Sequence, residues 1–317
     1  MAFRPRRALL AALVTASVAL PVSGAARPSA VPAPAPPHLA PLTSAAPAVL
    51  DAQYAANREG IRAAEFTAAR HGDRRRAAAL RAMADPARRF LLFDGRDGGR
   101  TAEVVGDLSR AERIAVLVPG SDTSLDTYGR FRAGAVALRQ ELGDRAAVIA
   151  WLGYRTPRTL SPEALTDGRA ADAAPRLGDF VRRLTGIKPG ARLSLLCHSY
   201  GSVVCAGAAP GLRVADIVLY GSPGTGVGHI GGMRTRATVW AARSTGDRIA
   251  GVPHLRLRLP FATVGFGTDP VSERFGARVF DAGAGGHSDY LKPGSTSLEN
   301  LARIVSGTTP TGGGRHA

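Results

Sequence analysis

The chain has 317 residues, 45% of them apolar and 21% charged, with 38 glycines and 22 prolines. That length holds one or two domains with a core that needs no metal or disulfide staple, and the apolar fraction is too high for a disordered chain. The formal charge is +16, and of 41 cations all but Lys188 and Lys292 are arginines, so the surplus reflects either an anionic partner or a GC-rich coding bias.

At the N-terminus Arg4, Arg6 and Arg7 precede an apolar run from Ala8 to Leu20, and the small residues Ser23, Gly24 and Ala25 follow. This order predicts a secretory signal peptide over residues 1–25, with both general and twin-arginine export left open by Arg6-Arg7. The run is short and broken by Pro21, so no membrane span is expected after cleavage. Residues 26–47 are dominated by Pro and Ala and read as an extended linker. Residues 48–89 read as an N-terminal helical segment packed on the domain. Leu50, Tyr54 and Ile61 share one helical face, His71-Gly72-Asp73 divides the segment into two helices, and Pro86 ends the second. Arg70, Arg74, Arg75, Arg76, Arg81, Arg88 and Arg89 form the concentrated basic cluster, read as a solvated helix face with some salt bridging rather than a binding patch.

From residue 90 the texture becomes short apolar runs separated by Gly, Pro and Asp. Phe90–Phe93 and Ala102–Val105 flank a turn-rich loop and predict a hairpin. Runs at 114–118, 147–151, 193–197, 217–220 and 237–241, with a shorter one at 278–280, suit strands buried on both faces of a parallel sheet. Helix-like stretches lie between them at 125–141, 170–184 and 200–209. A last apolar stripe of Leu298, Leu301, Ala302 and Val305 follows a Thr296-x-x-Glu299 capping box. An antiparallel pair followed by β-α alternation predicts one α/β domain over 90–308 with a mostly parallel sheet, and a disordered tail over 309–317.

The chemistry concentrates where a buried strand meets a helix at Leu196-Cys197-His198-Ser199-Tyr200-Gly201-Ser202. A serine on such a turn is lifted clear of the sheet, and the crowded turn needs small residues two before and two after it. Gly201 meets that need; Cys197 stands where glycine is usual. Serine needs a base oriented by an acid. In chain order Asp247 lies on the loop after the 237–241 strand and His287 on the loop after the 278–280 strand, so Ser199, Asp247 and His287 are the candidate triad. Asp269 is the runner-up acid, and Asp216 sits at the wrong end of its strand. The expected oxyanion donors are the backbone N–H groups of Tyr200 and Ser121, the latter in Pro119-Gly120-Ser121-Asp122-Thr123. His198 is expected to pack or hydrogen-bond rather than react. The string Gly226-x-Gly228-x-x-Gly231 does not follow its strand directly and is not a dinucleotide loop. His229 and His254 lack companions at ligand spacing, so neither metal nor cofactor is expected. Cys197 and Cys205 are the only cysteines, and a strand end and a point about two turns into a helix predict two buried thiols rather than a bridge.

The segments Val118–Thr123, Cys197–Ser202 and Gly286-His287-Ser288-Asp289-Tyr290-Leu291 resemble the α/β-hydrolase superfamily, and within it secreted bacterial members. The resemblance runs from about residue 48 to 306. It implies the α/β-hydrolase fold, a mostly parallel central sheet with helices on both faces, and a Ser-His-acid site. It supplies no substrate. The expectation is a secreted or envelope-associated serine hydrolase cleaving an ester or related acyl bond of a small or lipid-like substrate. Alternatives are an acyltransferase acting on envelope acceptors and a non-catalytic module binding anionic envelope polymers through the arginine cluster. Weak contact with an anionic envelope is compatible with each; nucleic acid is not expected. The short Gly-rich insert between Tyr220 and Ala237 is expected to form a small lid over an open cleft.

Overall fold

A computed structural model describes residues 31–251, 256–258 and 263–312. The expected signal peptide, the first linker residues, His254 and the end of the tail lie outside the described residues.

The N-terminal helical segment forms as its spacing predicts. Helix α1 (Pro47–Arg70) buries Leu50, Tyr54 and Ile61, and α2 (Arg74–Met83) follows a break at His71-Gly72. Asp73 caps α2 by accepting from the N–H of Arg76. Strands β1 (Arg89–Asp94) and β2 (Arg100–Gly106) pair antiparallel, and β2 pairs antiparallel with β4 (Ala146–Leu152). The parallel part of the sheet then runs from β4 through β3 (Arg113–Val118), β5 (Arg192–His198), β6 (Asp216–Tyr220), β7 (Thr238–Ala242) and β10 (Arg278–Val279). A separate hairpin joins β8 (Leu257–Arg258) to β9 (Thr263–Val264). The crossovers carry α3 (Tyr128–Leu142), α4 (Gly168–Ile187) and α5 (Gly201–Ala208), and α6 (Thr296–Ser306) closes the chain.

The strands are apolar throughout because both faces are covered. Ile114, Val116 and Val118 of β3 enter one core with residues of α4 and α5; Ala115 and Leu117 enter the other with residues of α3 and α6. Helix α1 serves both, placing Leu50 and Tyr54 in the first core and Ile61, Ala64 and Ala68 in the second. It also covers the edge strand. The amides of Gln53 and Asn57 donate to the carbonyls of Leu91 (2.9 Å) and Phe90 (3.0 Å) on β1, occupying acceptors that an open edge would offer another chain.

Several expectations are corrected. The Pro/Ala stretch has no regular secondary structure over 31–46 but is not a free spacer: Val31 and Ala33 pack on the second core, and Leu42 and Ala45 on the first. The arginine cluster is only partly solvated. Arg76 is buried against Asp126, and Arg88 is buried with both its Nε and Nη2 on Glu103 (2.8 and 2.6 Å). Its cations thus help hold the helical segment to the domain. The cap of α6 is Ser295, whose hydroxyl accepts from the N–H of Leu298, one residue before the expected Thr296. The 221–237 insert is no lid: the N–H groups of Thr225 and Gly226 both donate to the carbonyl of Phe266, so it folds onto that segment. No helix among the described residues is long and apolar enough to cross a membrane.

Candidate active site

Strand β5 ends at His198 and α5 begins at Gly201, leaving Ser199 and Tyr200 to make the turn. Ser199 has φ +51°, a left-handed conformation that costs a side-chain-bearing residue about 1–3 kcal/mol, and its N–H is held by the carbonyl of Tyr220 at 3.0 Å. A Cβ on Gly201 would lie 2.7 Å from the Val118 carbonyl oxygen, so only glycine lets the helix start this close to the end of β3. On the neighbouring loop, a Cβ on Gly120 would lie 2.7 Å from that of Ser199. Glycine there brings the 119–122 backbone against the serine.

Cys197 and Cys205 form a disulfide, contrary to the two buried thiols expected. Cys205 is four residues, about one turn, into α5, so two turns overstates its distance from the strand end, and helical side chains lean toward the N-terminus, back over that end. The Cα atoms are 6.4 Å apart, inside the bridging range.

The three residues expected to act together do meet. His287 Nε2 lies 3.0 Å from Ser199 Oγ, and its Nδ1 lies 3.0 and 2.9 Å from the two carboxylate oxygens of Asp247. Asp247 is buried and takes two more donors, the N–H of Ile249 at 2.9 Å and the hydroxyl of Tyr290 at 2.7 Å. Burial works to raise its carboxyl, but the bonds from His287, Ile249 and Tyr290 outweigh it and hold the group below its ordinary value. Asp269 is drawn elsewhere, onto Arg243 at 2.6 Å. Asp216 is buried at the far end of the sheet, where it accepts from Arg192, Ser194 and Trp240.

Two residues contribute more than their sequence positions suggested. Tyr290 is buried three positions after His287; its hydroxyl donates to Asp247 and accepts from the N–H of Ser244 at 3.1 Å. Its place in the His-Ser-Asp-Tyr run was the available signal. His198 reaches from the end of β5 to the carbonyl of His287 at 2.8 Å. A carbonyl only accepts, so His198 Nε2 carries the hydrogen. Burial, and next the charge of His287, push its pKa down to about 4, so it stays neutral near pH 7.

The loop bearing Ser121 is braced by the hydroxyl of Tyr154 on the Pro119 carbonyl at 2.6 Å, and by the Asp122 N–H on the Pro157 carbonyl at 3.0 Å. Among the described residues neither the N–H of Ser121 nor that of Tyr200 has a hydrogen-bond partner. Both can therefore donate to a ligand. The Tyr200 side chain is anchored away, donating to the carbonyl of Thr166 and accepting from the N–H of Ala170. In front of Ser199 opens a cleft of about 470 Å³, walled by the 119–123 loop, the first turns of α3, Thr159 and residues 287–293; none of the 221–237 insert reaches it. His229 is exposed on that insert, ahead of a short turn of 3₁₀ helix at 230–233.

A family model described as alpha/beta hydrolase matches residues 94–257. An uncharacterized protein of Mycobacterium tuberculosis is 36% identical over 182 residues, covering 50% of this chain and 68% of its own length. A second from that organism is 29% identical over 254 residues, covering 68% of this chain and 38% of its own length. Among solved structures, the esterase LipW from Mycobacterium marinum shares 16% identity at TM-score 0.42, over 77% of this chain and 88% of that one. An a/b serine hydrolase without lid from Xanthomonas campestris shares 17% at TM-score 0.41, over 70% and 93%. From the family match across the sheet and serine turn, the chain belongs to the alpha/beta hydrolase family.

Proposed function

We propose that this protein is an exported serine hydrolase that cleaves an ester or related acyl bond through an acyl-enzyme. The observation that carries the reading is the unbroken chain from Ser199 Oγ to His287 to the buried Asp247, with every link near 3 Å. Ser199 Oγ attacks the acyl carbon as its proton passes to His287 Nε2. The N–H groups of Ser121 and Tyr200 hold the developing oxyanion. His287 returns the proton to the leaving oxygen, whose bond to the acyl carbon breaks, releasing the alcohol. Water then repeats the sequence and frees the acid and Ser199. Asp247 keeps the Nδ1 hydrogen of His287 in place and balances the imidazolium. Export is supported by the N-terminal order of basic, apolar and small residues, and a Cys197–Cys205 bridge suits an oxidising compartment.

The test is turnover of a short-chain p-nitrophenyl ester by the purified mature chain. Ser199→Ala and His287→Ala should each lower kcat by about a thousandfold or more, and Asp247→Asn by far more than Asp269→Asn. Equal losses for the two aspartates would move the acid, and undiminished turnover by Ser199→Ala would remove the serine mechanism.

A further inference from the structure

Little in its own sequence fixes the histidine loop. Residues 283–289 include Gly283, Gly285 and Gly286, and Gly283 takes φ +67°. The bonds around it are local or lie at its start: the N–H of Thr245 donates to the Gly283 carbonyl at 2.9 Å, and Gly286 and Asp289 bond each other. The backbone of His287 itself makes one hydrogen bond among the described residues, its carbonyl accepting from His198 Nε2 at 2.8 Å.

His198 reaches that carbonyl from a fixed element. It is the last residue of β5, in register with Tyr220 of β6. Its ring packs against those of Tyr220, Tyr290 and His287, with centroids 5.1, 5.8 and 4.7 Å away. The next residue is Ser199, whose Oγ lies 3.0 Å from Nε2 of the same His287. Two consecutive residues at one strand end therefore meet His287 at its carbonyl and at its ring, while Asp247 holds the far ring nitrogen. A shift of the His287 backbone carries its ring with it, and proton transfer demands that Nε2 stay within hydrogen-bond reach of the serine. Burial keeps His198 neutral, so it sets no like charge beside the imidazolium that forms at His287 during turnover.

We propose that His198 is a positioning residue for the reaction: by holding the His287 carbonyl, its Nε2–H sets the base at transfer distance from Ser199 Oγ. The proposal rests on the hydrolase reading above and adds a residue that acts through the base.

The experiment compares His198→Gln with His198→Asn on a short-chain p-nitrophenyl ester, with kcat taken per active site counted by the end point of fluorophosphonate labelling. Both replacements are neutral amides, but the glutamine N–H can reach the place of Nε2 and the asparagine N–H falls short. His198→Asn should lower kcat about tenfold or more with KM changed less than about twofold, and His198→Gln should stay within about threefold of wild type. The rate of fluorophosphonate labelling should fall in the same order, because that reaction needs the same base. His198→Phe, which fills the ring's space without a donor, should match His198→Asn and carries the comparison where the buried amide unfolds the chain. A loss of folded protein lowers the count of active sites; a misplaced base lowers the rate at each one. An unchanged kcat per site in the variants without a donor overturns this inference alone, as do equal losses in His198→Asn and His198→Gln. A wild-type chain that turns over no ester overturns the hydrolase reading and this inference with it.

Discussion

At the scale of single residues, the site is a set of oriented hydrogen bonds around one buried carboxylate. Asp247 can hold His287 in one orientation only because Ile249 and Tyr290 occupy its remaining acceptor capacity. Hydrogen bonds to a charged group contribute roughly 1.5–3 kcal/mol. Tyr290→Phe should therefore lower kcat by about tenfold with little change in KM, and should shift the acid limb of the pH–rate profile by removing a donor from Asp247. A lowered KM-independent yield of active enzyme with an unshifted profile would reduce Tyr290 to packing. His198 makes a second prediction, through stability. Its folded-state pKa, depressed to about 4 against an ordinary 6.5, lets the unfolded chain take the proton first as pH falls. The stabilisation is complete above about pH 6.5 and is lost as pH drops toward 4. Urea unfolding at pH 7.5 and 4.5 should show a loss of about 2–3 kcal/mol from this group, absent in His198→Asn. Equal acid losses in the two proteins would contradict the assignment.

At the scale of elements, the Cys197–Cys205 bridge ties the end of β5 to the first turns of α5 around the serine turn. A bridge closing so short a loop contributes about 2 kcal/mol in the chain-entropy account. Cys197→Ser/Cys205→Ser should lower the unfolding free energy by about that amount, and a variant as stable as the oxidised wild type would show that the bridge is dispensable. This element also shows where sequence reading stops. Strand β5, helix α5 and the serine between them follow from an apolar run, small flanking residues and helical spacing. The bridge does not, because it depends on how the serine turn sets α5 against the end of β5, and the positions of helix ends are fixed by packing rather than propensity. The cap of α6 slipped by one residue for the same reason: Ser295 and Thr296 can both accept, and only the tertiary position of the turn selects Ser295. The packing of the 221–237 insert is not legible in its sequence, because its glycines signal tight turns without saying which neighbour they pack against; the partner is the carbonyl of Phe266, about forty residues on.

At the scale of the whole molecule, continuous apolar runs revealed the strands, their parallel pairing and the two-faced core, because each strand buried on both faces must be apolar on both sides. Ser199, Asp247 and His287 were legible from chain order, since each follows a strand on the same end of the sheet. The hydrogen-bonding role of His198 was legible too, but its partner, the His287 carbonyl, and the role of Tyr290 were not, because they depend on distances across the sheet that no local pattern encodes. The arginine excess was legible as composition only. In the fold it divides into buried pairs such as Arg88 with Glu103 and exposed side chains such as Arg130 at the cleft. The central claim is that Ser199 is a nucleophile activated by His287. Incubation of the purified mature protein with a fluorophosphonate, followed by peptide mass spectrometry, measures this directly. The account predicts one adduct per chain, on Ser199, abolished in Ser199→Ala and strongly slowed in His287→Ala. An adduct on another residue, or labelling that persists in Ser199→Ala, would contradict it.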